Sequence, residues 1–411
     1  MNAIIVTIGD EILVGQTVDT NSAHIAQQLN KLGISIAEIL SITDTERHIK
    51  QALDQYLGKA DLIFLTGGLG PTNDDITKRV LTEYFEDELV IYPEILSKIQ
   101  NFFERFNKPF LEVNRLQAML PKNARIIENT RGTASGMWFT KGRSNVFSMP
   151  GVPYEMKGLL DDFLEEFTKD HPPGNLYHST VRVTGIGESF LAEQLKDWEQ
   201  KILDKNISVS YLPSVGELKI RLTGTIKQMD FIDMNINYLL NEKKNYVYGR
   251  ENETLVRAIG DILIQRNLTL GTVESCTGGS IAKKIVAMAG SSEFYNGSIV
   301  SYTNKLKAEL VGVKEETLAK NGAVSEQVAK EMAENGARIL GTDCCISVSG
   351  IAGPSGGSDA KPVGTVWIGL RTPEGIRAKK FNFGHNRTRN IQASVYAGLN
   401  FLRLSLIGEL K

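Results

Sequence analysis

The chain lacks the features that mark membrane-spanning, secreted and strongly DNA-binding proteins. Among its 411 residues, no uncharged apolar run approaches the roughly 18 residues that a membrane span requires. The 46 Lys and Arg residues nearly balance the 48 Asp and Glu residues, so no overall positive charge is available for a nucleic-acid backbone. The first residues enter a strand-like segment, without the basic region or cleavage site of a secretory signal. We therefore expect a soluble cytoplasmic protein that binds neither membrane nor nucleic acid.

Cysteine and histidine are also scarce. The three cysteines, Cys276, Cys344 and Cys345, are odd in number and include an adjacent pair, which fits neither a disulfide framework nor a C-x-x-C metal spacing. This pattern favours a reducing compartment. Of the five histidines, His385 alone lies in the last third of the chain, so a Ser-His-Asp triad has little support there.

Alternating apolar and amphipathic segments predict three domains, in agreement with about 150 residues per domain. Residues 1–170 alternate buried strands with helices, which predicts a parallel, doubly wound sheet. Residues 175–250 follow a β-α-β-β-α order typical of a small α+β plait. Residues 255–411 alternate again. We therefore expect an α/β protein with a small α+β domain in the middle.

The segment TVESCTGGS at 272–280 places a serine between an apolar strand and an amphipathic helix. Backbone N–H groups at a helix N-terminus carry partial positive charge and favour an anion or a developing oxyanion. One interpretation makes Ser275 a nucleophile, with amides near Thr277 and Gly278 as oxyanion donors. Alternatively, Ser275 and Thr277 cap the helix, as Ser and Thr commonly do. Cys276 is a rival nucleophile, although a thiol here can equally be a small apolar filler.

A lysine is the other candidate base for this serine. The next predicted strand, 297–302, is expected to end beside the serine strand, where sites form in parallel sheets. The helix after it carries Lys305 and Lys307, and spacing alone leaves both open. Either one could instead be a solvated surface lysine. As a base, it would need its pKa lowered from about 10.4 towards 7, which costs roughly 4 to 5 kcal/mol.

A glycine-rich cluster, SGIAGPSGGS at 349–358, follows another apolar strand. Glycines let backbone amides approach a phosphate closely, whereas the alternative is a flexible connection between strands. We expect this cluster to contact a phosphate.

Two further glycine-containing motifs follow strands of the N-terminal domain, IGDEILVG at 8–15 and TGGLGPTNDD at 66–75. They carry four carboxylates: Asp10, Glu11, Asp74 and Asp75. Carboxylates beside a phosphate-binding loop suit a hard divalent ion that bridges to phosphate oxygens. Alternatively, Asp74 and Asp75 belong to the first turn of a helix, where acids are favoured in any case.

Three segments of the last domain give a specific resemblance. GTVESCTGGSIAKKI, GSIVSYTNKLKAELVGV and SVSGIAGPSGGSDAKPVGTVWIG are similar, in this order, to the C-terminal domain of the CinA (competence/damage-inducible protein A) family. The resemblance implies nicotinamide mononucleotide deamidase activity through a Ser/Lys dyad, without a cofactor. It places the serine at Ser275 and the lysine of the Y-[ST]-N-x-x-K pattern at Lys307, with Tyr302 and Thr277 in the catalytic pocket. Substrate contacts are expected from Gly278, Gly279, Asn304, Gly353, Ser355 and Gly356.

The N-terminal motifs, with NRLQA at 114–118, GTASG at 132–136 and MPGVP at 149–153, resemble the three-layer αβα, molybdopterin-binding-type domain that opens CinA proteins. This resemblance implies ADP-ribose pyrophosphatase activity that depends on a divalent metal such as Mg²⁺ and is stimulated by potassium. The implied ligands of the metal are Glu11, Asp74 and Asp75. The implied substrate contacts are Gly67, Gly68, Gly70 and Thr72. A pterin phosphate is a competing ligand.

Together these implications describe a pyridine-nucleotide salvage enzyme with two sites. Its substrates, nicotinamide mononucleotide and ADP-ribose, are both phosphorylated ribosides derived from NAD. We also expect a homodimer. The alternative, from another functional class, is a non-catalytic nucleotide- or pterin-binding regulatory protein linked to competence or DNA damage. The intact Ser275, Lys307 and glycine clusters favour the enzyme.

Overall fold

The computed structural model describes residues 1–72, 75–172 and 174–410. The chain has two compact units: the first is Met1–His178 with Thr225–Lys227, and the second is the rest of the described chain. The strands are β1 (Asn2–Ile8), β2 (Ser35–Ile42), β3 (Leu62–Thr66), β4 (Leu89–Ile91), β5 (Met119–Pro121), β6 (Arg125–Ile127), β7 (Gly136–Lys141), β8 (Ser144–Met149), β9 (Leu176–Val183), β10 (Ser208–Ser214), β11 (Glu217–Thr225), β12 (Val247–Arg250), β13 (Leu270–Glu274), β14 (Tyr295–Val300), β15 (Cys344–Gly350), β16 (Thr365–Thr372) and β17 (Gly375–Asn382).

The helices surround these strands. They are α1 (Asp10–Leu13), α2 (Asn21–Lys31), α3 (Glu46–Tyr56), α4 (Thr77–Tyr84), α5 (Pro93–Arg105), α6 (Glu112–Arg115), α7 (Pro153–Asp170), α8 (Glu188–Leu203), α9 (Met229–Glu242), α10 (Leu255–Gln265), α11 (Ser280–Val286), α12 (Asn304–Glu309), α13 (Glu315–Asn321), α14 (Glu326–Leu340) and α15 (Arg387–Leu406). Among the helices described, none is long and apolar enough to cross a membrane.

The N-terminal domain has the three predicted layers, a central sheet with helices on each face. Its strand order is β2-β1-β3-β8-β7-β6, and the first four strands are parallel neighbours. On one face of β1, Ile4 and Val6 pack with side chains of α3 and α4, and on the other face Ala3 and Ile5 pack with α2 and α7. Because both faces of the parallel strands are covered by helices, these strands are apolar on both sides.

The expectation of an entirely parallel N-terminal sheet is wrong at one edge. β7 runs antiparallel to β8, and β6 runs antiparallel to β7. The reason is the connection between β7 and β8, in which Lys141 pairs with Ser144 across two residues and Gly142 has φ +61°. A two-residue turn with positive φ joins antiparallel strands and is too short for the crossover that parallel strands require.

The middle segment forms the predicted small α+β sheet, with strand order β10-β11-β9-β12 and the helices α8 and α9. The two consecutive strands of the predicted β-α-β-β-α order, β10 and β11, pair in antiparallel register and turn at Gly216, whose φ is +82°. β12, which the sequence analysis did not anticipate, pairs antiparallel with β9.

The C-terminal sheet positions the candidate site. Its strand order is β14-β13-β15-β16-β17. The first three strands are parallel neighbours, β16 runs antiparallel to β15, and β17 runs antiparallel to β16. On one face, Val273 and Cys345 pack with α14, and on the other Leu270 and Ile346 pack with α10 and α15. The carboxyl ends of β13, β14 and β15 therefore lie side by side at one edge of the sheet.

Candidate active site

Ser275 and Lys307 meet at this carboxyl edge. Glu274 at the end of β13 lies opposite Val300 at the end of β14, so the residues that follow the two strands are neighbours. Lys307 Nζ lies 2.9 Å from Ser275 Oγ, and these residues are only 1% and 7% exposed. The same Nζ donates a hydrogen bond of 2.8 Å to the carbonyl oxygen of Ser301 and lies 3.4 Å from that of Tyr302.

The surroundings of Lys307 suit an amine that accepts a proton. Burial lowers the pKa of Lys307, because the ammonium ion loses its hydration. A neutral amine has two N–H groups and one lone pair. The carbonyl oxygens of Ser301 and Tyr302 can accept the two N–H groups, which leaves the lone pair for the hydroxyl proton of Ser275. The pair thus has the geometry of a nucleophile and its base.

The rival groups are less suited. Lys305 is exposed, and its Nζ lies 3.9 Å from the carboxylate of Glu309 one helical turn away. Cys276 is buried, and burial raises the pKa of its thiol to about 12, which disfavours the reactive thiolate. His385 is exposed, and in the described part of the chain Lys307 is the one side chain that hydrogen-bonds to Ser275.

A buried carboxylate occupies the N-terminus of α11. Glu274, 0% exposed, accepts hydrogen bonds from the backbone N–H groups of Gly279 and Ile281 at 3.1 Å and of Ala282 at 2.9 Å. The backbone N–H of Gly278 donates to the carbonyl oxygen of Ser275 at 3.1 Å. Of the predicted oxyanion donors, the Gly278 amide and the amides of Gly279, Ile281 and Ala282 thus already have acceptors in this structure.

The turn between Ser275 and α11 still offers free donors. The N-cap residue of α11 is Gly279, with φ +92°, and no side chain caps it, so the alternative that Ser275 and Thr277 cap this helix is wrong. Within the described chain, the backbone N–H of Thr277 has no acceptor, and its buried hydroxyl has no hydrogen-bond partner. These two groups are available to a ligand at Ser275.

Two residues that the sequence analysis did not single out hold the glycine-rich loop. Arg387 and Asn390 lie in the first turn of α15. Arg387 Nη1 donates to the carbonyl oxygen of Gly353 at 2.8 Å, and its Nη2 lies 3.4 Å from the hydroxyl of Tyr302. Asn390 Nδ2 donates to the carbonyl oxygen of Ala352 at 3.0 Å. No sequence motif marks these two residues as part of a site, because an Arg and an Asn are also found at the start of helices that bind no ligand.

The other predicted contact residues of this domain lie around the same edge without touching the dyad. Asn304 begins α12, and Ser355 and Gly356 belong to the exposed loop after β15. In the part of the chain that is described, none of the three hydrogen-bonds to Ser275 or Lys307. Their predicted contacts would require the substrate.

The N-terminal glycine motif forms a tight cradle. Gly67 and Gly68 have φ values of +119° and +66°. A Cβ atom would lie 2.0 Å from the carbonyl oxygen of Ile8 at the first position and 2.2 Å from Thr77 Oγ1 at the second. The buried Thr77 hydroxyl has no hydrogen-bond partner among the described residues. Burial also lowers the pKa of Lys78 to about 8. The loop thus combines close backbone, an unpaired hydroxyl and a nearby amine.

The predicted metal ligands are only partly described. Asp75 accepts hydrogen bonds from both the backbone N–H, at 3.0 Å, and the hydroxyl of Thr72. A Cβ atom on Gly70 would lie 2.4 Å from Asp75 Oδ2. Glu11 is exposed in α1, directly after β1, and Asp74 lies outside the described residues. In residues 1–72, 75–172 and 174–410, no three or more His, Cys, Asp and Glu side chains are grouped to hold a metal.

Comparison with known proteins identifies the family. Two CinA-like proteins, from Flavobacterium psychrophilum and Cytophaga hutchinsonii, are each 40% identical over 409 residues, which are 98% of this chain and 98% of each relative. The chain belongs to the CinA family. Three family profiles match it: the "CinA C-terminal domain" at 252–406, the "Damage-inducible protein CinA KH domain" at 178–249 and the "Probable molybdopterin binding domain" at 4–170.

One solved CinA-family structure covers part of the chain. A crystal structure of the competence/damage inducible protein CihA from Agrobacterium tumefaciens is 37% identical and covers 37% of this chain and 93% of that chain, with a TM-score of 0.36. Membership of the CinA family and the mixed α/β fold class are confirmed. The names of the relatives mention competence and damage induction and specify no reaction.

We expect Glu274→Gln to destabilise the first turn of α11. The NH₂ group of Gln would face backbone N–H groups whose hydrogen bonds the carboxylate accepts in the unmodified chain. Losing one charge-assisted hydrogen bond of this kind costs about 2 kcal/mol, which corresponds to roughly 30-fold faster exchange of the α11 amides. Hydrogen–deuterium exchange with mass spectrometry of the full chain measures this rate. Glu334→Gln, at an exposed position of α14, is the control. Unchanged protection of α11 in Glu274→Gln would contradict the capping role.

Proposed function

We propose that the C-terminal site hydrolyses the carboxamide of nicotinamide mononucleotide to nicotinate mononucleotide and ammonia. The observation that carries this proposal is the 2.9 Å approach of a buried lysine amine to a buried serine hydroxyl. A serine becomes a nucleophile when an adjacent group takes its proton, and a desolvated lysine is one of the groups able to do so. Membership of the CinA family agrees with an amidohydrolase.

The proposed reaction has two halves. First, Ser275 Oγ attacks the carboxamide carbon and transfers its proton to Lys307 Nζ, and the carbonyl oxygen becomes an oxyanion for which the Thr277 N–H and hydroxyl are the available donors. The tetrahedral intermediate then expels ammonia, which takes the proton from Lys307. Second, water gives its proton to the amine and attacks the acyl-enzyme, and Ser275 leaves with that proton as nicotinate mononucleotide is released.

The arginine beside the glycine-rich loop supports a phosphorylated substrate. A guanidinium has five N–H donors in a planar fork, and the two recorded contacts of Arg387 leave others free. Its side chain is exposed and holds the loop through Gly353. We propose that Arg387 binds the 5′-phosphate together with the loop residues Ser355 and Gly356, because Arg pairs well with phosphate oxygens.

Ammonia release from nicotinamide mononucleotide by the full chain tests the dyad. We expect Ser275→Ala and Lys307→Arg to reduce kcat/KM at least about 1,000-fold, since the first lacks the nucleophile and the second retains a charge that cannot accept a proton. Cys276→Ala and Lys305→Ala are the matched neighbours and should stay within about twofold. Equal activity in Ser275→Ala would contradict the mechanism. No ammonia release by the unmodified chain would favour the regulatory, non-catalytic alternative.

The pH dependence of this reaction should report the lysine. Only the neutral amine can act as base, so kcat/KM should rise with pH, by about tenfold per unit below the midpoint, and then level off. Because burial lowers the pKa of Lys307, the midpoint should lie below the ordinary lysine value of about 10.4. Initial rates of ammonia release at constant ionic strength measure the profile. A rate that falls with rising pH throughout would contradict a lysine base.

We further propose that the N-terminal site hydrolyses the diphosphate of ADP-ribose. The specific observation in favour is the glycine cradle, where backbone and the unpaired Thr77 hydroxyl come so close that a Cβ atom would collide with them. The oxygen ligands Glu11 and Asp75 follow adjacent parallel strands and suit a hard divalent ion by chemistry. When bound, such an ion, with Mg²⁺ as the expected one, supplies charge neutralisation and an acidified water. Stimulation by potassium and the homodimer stay predictions.

The N-terminal proposal is tested by release of AMP and ribose 5-phosphate from ADP-ribose. Gly68→Ala should reduce this activity at least about tenfold, because the new Cβ would collide with Thr77. Gly58→Ala is a matched control, since Gly58 has a similar φ of +77° and open space around it. Excess EDTA should abolish this reaction and leave ammonia release unchanged. Full diphosphate hydrolysis in Gly68→Ala, or in EDTA, would contradict the proposed site.

A further inference from the structure

A cavity in the second compact unit has no part in the chemistry proposed so far. Its volume is about 480 Å³, within the range of small-molecule sites, and its lining includes neither Ser275 nor Lys307. Residues of β17, α15, the β10–β11 hairpin and the segment before α8 form it. Its apolar lining includes Ile186, Phe381, Phe383, Tyr396, Phe401 and Leu404, and Glu188, Glu217 and Lys379 add charged groups.

One buried amide gives this cavity a directional polar group. Asn400, 6% exposed, accepts a 2.9 Å hydrogen bond on Oδ1 from Nε of Arg403. Arg403 is buried as well, and its other nitrogens donate to the carbonyl oxygens of Lys244 and Asn245 at 2.7 and 2.8 Å. Arginine has donors only, so it fixes which end of the Asn400 amide carries the oxygen.

The other end of the amide is a donor without an acceptor. Asn400 Nδ2 lies 2.6 Å from the position that a Cβ atom would take on Gly185, which has φ +81° and lines the cavity. Among the described residues, no group accepts from this Nδ2. Asn400 lines the cavity, so this N–H group is available to an acceptor on a ligand bound there.

The aromatic lining suits a flat ring. The Phe381 and Phe383 rings are 10° from parallel, with centroids 5.6 Å apart, and Lys379 Nζ lies 5.9 Å from the Phe381 centroid at the rim. Planar heterocycles stack on such side chains, and every nucleoside base has a π-face that can make this contact. A purely aliphatic ligand would use the apolar walls but leave Asn400 unpaired.

We propose that this cavity binds a planar heteroaromatic ring that presents a hydrogen-bond acceptor to Asn400 Nδ2, as a nucleoside base does. The walls supply the apolar contact and stacking, and the amide held by Arg403 supplies the orientation. This inference stands on the cavity alone and does not require the Ser275 chemistry.

Binding of the four common ribonucleosides to the full chain is the test, by saturation-transfer NMR and titration calorimetry. We expect at least one to bind more tightly than about 1 mM. Asn400→Asp should weaken that binding at least tenfold, because the aspartate keeps an acceptor for Arg403 and removes the donor to the ligand. Asn382→Asp, an exposed position on β17 outside the cavity, makes the same charge change and should bind normally.

A second variant covers the case in which Asn400→Asp lowers the melting temperature. Ala393→Phe adds a ring at a half-buried position of the lining and should abolish nucleoside binding by filling the space. Three results would overturn the proposal: no binding of any ribonucleoside up to about 10 mM, equal binding of ribose alone, or binding that both cavity variants leave intact.

Discussion

The C-terminal site depends on keeping a lysine amine out of water beside a serine hydroxyl. An ammonium ion in this position would pay a desolvation cost that nearby carboxylates usually offset, yet no carboxylate hydrogen-bonds to Lys307 among the described residues. Its hydrogen-bond partners are one hydroxyl and two carbonyl oxygens, none of which carries a formal negative charge to offset the charge of an ammonium ion. The sheet makes this possible. The parallel register of β13 and β14 brings residue 275 next to residue 301, and α12, which follows β14, carries Lys307.

The carboxylate that directly precedes Ser275 in the sequence does not pair with the lysine. Glu274 points into the start of α11 and accepts three of its N–H groups, so it stabilises the helix rather than pairing with the amine. The same contacts hold the turn that follows Ser275. A helix N-terminus next to a nucleophile is therefore not automatically an oxyanion site, since the chain can fill it with its own carboxylate.

Much of the fold and part of the site followed from the sequence. The sequence is enough to predict β15 at 344–350 and α15 at 387–406, because the first is a mostly apolar run of strand length and the second is a long segment without Pro. The antiparallel pair β7 and β8 was missed, since a turn around Gly142 leaves no trace in the apolar pattern of the strands. Spacing could not separate Lys305 from Lys307, because the inward-facing side of α12 is set by tertiary packing, and the family resemblance supplied that choice.

Arg387 and Asn390 were missed for a related reason: their partners are backbone carbonyl groups, at Gly353 and Ala352, which no residue pattern reveals. α15 makes this kind of contact at both ends of its length. Its first turn holds the loop after β15, and Arg403 near its last turn is buried against the carbonyl groups of Lys244 and Asn245. A single helix thus fixes the glycine-rich loop after β15 and the Asn400 amide that lines the cavity beside α15. Since both attachments are made to backbone, the side chains that face ligands could change while the frame that positions them stays the same.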